Sequence, residues 1–394
     1  MGAFGWFCSA RAISLLGSAM AVVALPFAVL DHGSALDSGL VLAARLVPYL
    51  GLVLIGGSTA DRFSRSAVLT VSHVGSGIAQ AAAAVSLLTG NFHLGLLLAL
   101  QAVQGAFGAF TSPAARGVLP EIVEPDRLQK ANSLLSAARF GSTLVGPAVA
   151  GLLAATVGAG WALAFDAATF LVAAVLYAKL RLPGKAAKTS LRNNLEEGWE
   201  TFRGTSWVWT VVVSFCLTNA IYTGVWTVLG LAIAKRTIGE FEWGVVLSAS
   251  GAGLALMTLI LYRTRTVPLW LGQLVTLVAA LPLLALGLEA NTPTLAVIAF
   301  VEGMGMAAFA ISWETALQRD IPNRMLSRVA AYDEFGSYLA IPLGAVTAPL
   351  IAARIGDTTT ASLAAIGYVV AALIPMPSLL AQRHAARQPQ RQCA

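Results

Sequence analysis

Apolar runs of about twenty residues follow one another from Ala12 almost to the C-terminus, and a helix needs a run of that length to cross a hydrocarbon layer ~30 Å thick. Polar or Gly/Pro-bounded breaks separate twelve of them: Ala12 to Leu30, Gly39 to Ser58, Ala67 to Leu88, Leu94 to Ala115, Leu134 to Val157, Trp161 to Tyr177, Trp207 to Ile233, Trp243 to Tyr262, Val267 to Leu288, Thr294 to Ser312, Val329 to Ile351 and Thr360 to Leu380. Only 11% of the residues are charged, against about 25% in soluble domains, so a water-soluble fold would lack the polar surface to cover its core. The reading is an all-α integral membrane protein with twelve transmembrane helices in two pseudo-symmetric six-helix bundles. The expected boundaries are 1–178 for the first bundle, 179–206 for a cytoplasmic linker, 207–382 for the second bundle and 383–394 for a cytoplasmic tail.

Charge distribution sets an orientation. An even helix count places both ends on one side, and Lys and Arg accumulate in cytoplasmic loops. One set of alternate segments holds Arg62, Arg65, Arg116, Arg127, Lys130, the Lys and Arg residues from Lys179 to Arg203, Arg263, Arg265, Arg319, Arg324, Arg328, Arg383, Arg387 and Arg391. The other set holds Lys235, Arg236 and Arg354. Both termini are therefore expected in the cytoplasm, with the bacterial inner (plasma) membrane as the location. The net charge of +6 is scattered through short loops instead of gathered on one stripe, so it implies no nucleic-acid partner. The N-terminus has no short apolar core with a small-residue cleavage site, so the first run is expected to stay as a helix. Cys8, Cys216 and Cys393 form no CxxC pair, and His32, His73, His93 and His384 have no ligand spacing, so neither disulfide nor metal is expected.

The two halves carry a trace of duplication. Phe140-Gly141-Ser142 followed by Pro147 in helix five matches Phe335-Gly336-Ser337 followed by Pro342 in helix eleven, at an offset close to half the chain. Related halves put a shared axis, and an expected substrate cavity, between them.

The turn after helix two reads Gly57-Ser-Thr-Ala-Asp61-Arg62-Phe-Ser-Arg65, and here the chain resembles the major facilitator superfamily, whose signature at this loop is Gly-x-x-x-Asp-Arg-x-Gly-Arg-Arg. Ser64 replaces the second Gly and Ser66 a basic residue. A carboxylate beside guanidinium groups at a helix end can hold an opposing helix N-terminus by dipole attraction, or the segment is an ordinary basic turn with one Asp. Helix five, with Gly141 and Val-Gly146-Pro147-Ala-Val-Ala-Gly151, is similar to the Gly-Pro motif of the drug:proton antiporters in that superfamily. Ala138, Ser142, Gly146, Ala150 and Ala154 share one face, which lets another helix approach closely. Leu119-Pro120-Glu121 to Ala131-Asn132-Ser133, with the later Trp313-Glu314-Thr315 to Leu326-Ser327-Arg328-Val329, resembles the branch containing enterobactin and macrolide exporters.

Ionisable residues inside apolar helices cost roughly 2.5 kcal/mol or more each; Arg45, Arg139, Asp166, Glu302, Asp333 and Glu334 are that set. Glu302 and Asp166 are the candidates for a coupling carboxylate that titrates or binds a cation, or each simply pairs with a buried Arg or backbone group. Asp333 and Glu334 are expected to form a gating cluster with Asp61, Arg62 and Arg65. The resemblance implies a cavity between helices one, four, seven and ten, where Gln101, Gln104, Asn219, Tyr222, Thr223 and Trp226 are the lining candidates. Such residues also serve as interhelical hydrogen bonders. Trp199, Trp207 and Trp209 are expected to anchor the chain at the interface.

No phosphate loop is present, since Leu182-Pro-Gly184-Lys185-Ala186 lacks the upstream Gly and the following Ser/Thr. No cofactor is expected, and the partners are a small-molecule substrate, protons and the lipid bilayer, with the chain acting as a monomer. The resemblance implies proton-coupled efflux of a drug-like or siderophore-like compound. A nutrient importer or facilitator is the rival within the class, and a non-transporting sensor or assembly partner the rival outside it. An intramembrane enzyme lacks any Ser/His/Asp, metal or paired-Asp arrangement at helical spacing.

Overall fold

The computed structural model describes residues 2–124, 128–180, 182, 191–263 and 267–381. Its helices in chain order are α1 (Ala3–Leu30), α2 (Ala35–Arg62), α3 (Arg65–Leu88), α4 (Leu94–Ile122), α5 (Leu128–Thr156), α6 (Ala159–Ala178), α7 (Leu191–Gly204), α8 (Ser206–Tyr222), α9 (Gly230–Thr237), α10 (Glu240–Arg263), α11 (Leu269–Val275), α12 (Ala280–Gly287), α13 (Thr292–Asp320), α14 (Asn323–Tyr338), α15 (Ile341–Ile355) and α16 (Asp357–Leu373). No strand occurs among the described residues. Twelve helical stretches are long and apolar enough to span a membrane, and each overlaps one of the runs read from the sequence. The helices outlast the runs: α4 continues to Ile122 and α13 to Asp320. An apolar run measures the hydrocarbon, whereas a helix continues into the headgroup layer beyond it.

Three spans are interrupted where the sequence predicts plain helix. A π-helix, Thr223–Leu229, joins α8 to α9; a 3-10 turn, Thr276–Ala279, joins α11 to α12. The eleventh span breaks between α14 and α15, with Pro342 in the first turn of α15, although its counterpart Pro147 lies inside an unbroken α5. Pro is tolerated where its missing N–H is already an orphan, and in lipid neighbouring groups can satisfy what it frees. The linker holds a helix of its own, α7.

Two compact units emerge, Met1–Lys188 with Val228–Gly251, and Thr189–Thr227 with Ala252–Ala394. In the first, α1 packs on α5 and α6, α3 on α4 and α6, and α2 on α4. Phe7, Leu69, Val118 and Tyr177 fill one part of its core; Ala21, Val29, Ala83 and Leu163 fill another. In the second, α8 is packed by α14, α15 and α16, while α12 lies on α13 and α16. Trp207, Phe309, Trp313 and Leu317 centre its core. Trp207, expected as an interface anchor, is buried edge-on to Trp313 at 5.7 Å, while Trp199 and Trp209 are a little under half exposed.

The turns carry the duplication further than the helix-five motif does. Gly158 precedes α6 at φ 98°, ψ 147°, and Gly356 precedes α16 at φ 88°, ψ 152°. That backbone conformation is essentially restricted to glycine, so the same residue recurs at the same turn of each half.

Candidate functional site

The interior of the first unit contains a polar cluster contributed by four helices, with a fifth, α1, packed against it. Asp166 of α6, Gln80 of α3 and Gln101 of α4 are fully buried. Gln101 Nε2 donates to Gln80 Oε1 at 3.4 Å, Thr169 Oγ1 donates to the Asp166 backbone carbonyl at 2.7 Å, and Arg45 lies within electrostatic reach of the carboxylate. A methyl group at Gly17 would lie 2.6 Å from Asp166 Oδ1 and 2.1 Å from Thr169 Oγ1; α1 reaches α6 here because residue 17 has no side chain. Likewise, a methyl at Gly105 would stand 1.8 Å from the Arg45 carbonyl oxygen, so α2 and α4 meet backbone to backbone. Both Asp166 oxygens, Gln80 Nε2, Gln101 Oε1 and both polar atoms of Gln104 have no hydrogen-bond partner among the described residues. In a low-dielectric interior such a carboxylate depends on a nearby cation or a proton, and Arg45 is a cation within electrostatic reach of it.

The second unit encloses the other coupling candidate. Glu302 of α13 is buried, with the phenol of Tyr222, the last residue of α8, beside it and Tyr368 of α16 within reach of its charge. Tyr222 is 6.0 Å from Trp226 and 6.2 Å from Tyr368, ring centre to ring centre. Three residues singled out in the sequence (Glu302, Tyr222, Trp226) thus come together, joined by Tyr368, which the sequence reading did not name. Its signal was available: Tyr368 is an aromatic with a polar tip in the middle of an apolar span. Trp226 and the half-buried Thr223 belong to the π-helix, a feature found frequently at functional sites. The remaining lining candidates have partners of their own or are buried in the first unit. Asn219 Nδ2 donates to the Ser337 carbonyl at 3.1 Å, tying α8 to α14. Gln101 belongs with Asp166, and Gln104, one turn further along α4, is buried in the first unit.

Two of the expected gating residues, Arg65 and Asp333, have partners inside their own units. Arg65 Nη1 pairs with Glu121 Oε1 at 3.2 Å, joining the start of α3 to the end of α4. Asp333 Oδ2 accepts from Trp313 Nε1 at 2.9 Å and its Oδ1 from Ser337 Oγ at 3.0 Å, which fixes α14 on α13. Glu334 is half-buried. The side chains of Asp61 and Arg62 lie outside the described residues. Ser64, the departure from the family signature, caps α3 by accepting from the Ala67 N–H at 3.2 Å.

Helix five packs through its small residues on two sides. A methyl at Gly146 would fall 2.7 Å from Ala19 Cβ of α1. Opposite α10, one at Gly151 would meet the Glu240 carbonyl at 2.7 Å, one at Gly244 the Pro147 carbonyl at 2.6 Å, and one at Gly251 the Thr143 carbonyl at 2.8 Å. The motif residues Gly146, Pro147 and Gly151 therefore sit at close helix approaches, while Gly141 has nothing within 4 Å among the described residues. Sequence reasoning also passed over two first-unit features. Lys235 of α9 bonds to Asp31 at the end of α1 and lies 3.4 Å from Glu240 at the start of α10. Buried His73 lies between Ser14 Oγ (3.4 Å) and the Leu69 carbonyl (2.8 Å).

Comparison with known proteins agrees with this architecture. The profile of the Major Facilitator Superfamily matches residues 7–345. The multidrug efflux pump Tap of Mycolicibacterium fortuitum is 27% identical over 365 residues, covering 86% of this chain and 87% of the pump. The puromycin resistance protein pur8 of Streptomyces alboniger is 31% identical over 193 residues, covering 48% of this chain and 37% of that protein. Among solved structures, a POT family transporter in complex with a thioalcohol-conjugated peptide superposes with a TM-score of 0.77 at 12% identity, covering 95% of this chain and 96% of that one.

Proposed function

Because the chain belongs to the Major Facilitator Superfamily, and is thus a multi-pass membrane transporter of small molecules and not an enzyme, we propose that it exports a hydrophobic, drug-like compound by alternating access. Inward proton flow drives the export, the protein acts as a monomer in a bacterial plasma membrane, and both termini face the cytoplasm. Its likeness to Tap over most of both chains supports efflux. Lys and Arg concentrated on one set of loops support the orientation.

The observation that carries proton coupling is the seating of Glu302 among Tyr222, Trp226 and Tyr368 beside the π-helix. A buried carboxylate among phenols can be charged, accepting from a tyrosine hydroxyl, or neutral, donating to one. The rings of Trp226 and Tyr368, buried in this structure, would meet an amphipathic cargo next to that carboxylate once alternating access opens the site. Proton and cargo then compete for one place, which is what exchange requires. Asp166, balanced by Arg45, is assigned to holding the first unit together.

The test is proton flux into liposomes carrying purified protein and an internal pH dye, screened with hydrophobic antibiotics. Cargo-triggered proton movement in wild type, abolished by Glu302→Gln and retained by Asp166→Asn, is the expected result. Cargo crossing without proton movement in wild type removes the coupling, and loss in Asp166→Asn alone reverses the two assignments.

A further inference from the structure

The second unit has a groove of about 440 Å³ between α8, α15 and α16, walled by Ile221, Val225, Gly344, Thr347, Ile351 and Leu363 among others. Leu343, Leu363 and Ile351 on its rim are about half exposed or more, so the groove opens on the outside of a chain whose outside is lipid. Its two wall hydroxyls make no demand on an occupant. Thr347 Oγ1 donates to the Leu343 carbonyl at 2.8 Å and Thr360 Oγ1 to the Gly356 carbonyl at 2.7 Å. The occupant of such a wall is hydrocarbon.

Length and charge narrow it further. The groove follows α15 from Leu343 to Ile355, a rise of about 18 Å at ~1.5 Å per residue. Half of a ~30 Å hydrocarbon core is about 15 Å, so one acyl chain of one leaflet fits along it. At the end of α15 stands Arg354, exposed and in no ion pair among the described residues. It follows Thr347 by seven positions, about 20° away around a helix of 3.6 residues per turn, which aligns it with the groove. The helix-end dipole favours a cation there, but does not account for that alignment. Arg354 is also one of the few Lys and Arg residues on the sparsely charged side of the sequence, where the orientation rule works against them.

We propose that this groove binds an anionic phospholipid, with one acyl chain along α15 and the phosphate on Arg354. The site lies beside the π-helix: Val225 belongs to both, and a methyl at Gly224 would stand 2.3 Å from the Gly344 carbonyl. A bound chain therefore braces the segment that carries Trp226.

The experiment extracts purified protein from membranes containing equal phosphatidylglycerol and phosphatidylcholine with identical chains, and counts retained lipid by native mass spectrometry. Wild type is expected to retain one lipid, mostly phosphatidylglycerol. Arg354→Gln is expected to lower the glycerol-to-choline ratio about tenfold, the worth of one charge-assisted contact, and Arg354→Lys to restore most of it. Ala364→Phe, which fills the groove, is expected to lose the retained lipid whatever its headgroup, and Thr347→Phe serves in its place should Ala364→Phe fail to elute as a single species. An unchanged ratio in Arg354→Gln overturns the headgroup assignment, and unchanged retention in the filled variant overturns the site.

Discussion

Gly105→Ala is a one-carbon change placed where two helix backbones touch. The added methyl would lie 1.8 Å from the Arg45 carbonyl oxygen, 2.8 Å from its carbon and 3.2 Å from Cα, whereas ordinary contact begins at 3.4 Å. All three atoms are backbone, so no rotamer change relieves the clash, and α2 must move from α4 by about 1.6 Å along that line. Overpacking a rigid site costs up to ~3 kcal/mol, offset by the ~1 kcal/mol that Ala gains over Gly within a helix. The net expectation is a loss of about 2 kcal/mol, or roughly thirtyfold in the folding equilibrium at ~1.4 kcal/mol per decade. Gly141→Ala is the matched control, because nothing among the described residues lies within 4 Å of its added methyl; it gains up to ~1 kcal/mol from helix propensity alone. Reversible unfolding in mixed micelles, followed by circular dichroism, reads the gap of about 3 kcal/mol between the two variants. Gly105→Ala matching or exceeding Gly141→Ala in stability would refute the argument that close approach, and not propensity, governs these glycines.

Three further substitutions probe other parts of the chain. Ser64→Ala removes the α3 cap and is expected to cost ~1 kcal/mol, whereas Ser64→Gly, which restores the family residue, costs only a few tenths; equal losses in thermal unfolding would deny the cap its role. Lys235→Ala breaks a partly exposed ion pair and is expected to cost no more than ~1 kcal/mol, while Lys235→Glu, setting a third carboxylate beside Asp31 and Glu240, is expected to cost more in the same assay. Gly244→Ala drives a methyl to 2.6 Å from the Pro147 carbonyl and is expected to slow transport about tenfold, as ~1.4 kcal/mol on the barrier would; an unchanged initial rate at normal membrane expression counts against helix five needing that approach.

What was legible in the sequence is what each residue carries in itself. The lengths and order of the spans follow from apolar runs, because in lipid an isolated backbone must bond to itself and helix is its local answer. The repeated Phe-Gly-Ser…Pro segment and the charge-rich loops are also local, so the expectations of related halves and of an orientation rest on sequence alone. Glu302, Asp166 and Gln101 stood out because a polar residue in an apolar span is costly enough to need a reason.

Their partners were not legible, because partnership depends on which faces meet. Tyr368 comes to Glu302 from more than sixty residues away, and Gln101 turned from a presumed cavity lining to Gln80 and Asp166 because α3, α4 and α6 pack around it. Asp333, read as a gate, bonds to Trp313 and Ser337 once α14 lies on α13. The π-helix and the broken eleventh span contradict the plain helices that hydropathy predicts, since a hydropathy run records only that a segment is apolar and not how its backbone is bonded. Sequence alone determined that this chain is all-helical with twelve membrane spans. Tertiary structure alone decided which buried carboxylate sits among glutamines and which beside tyrosines, because a helix fixes the spacing of its own side chains but not the neighbour each one faces.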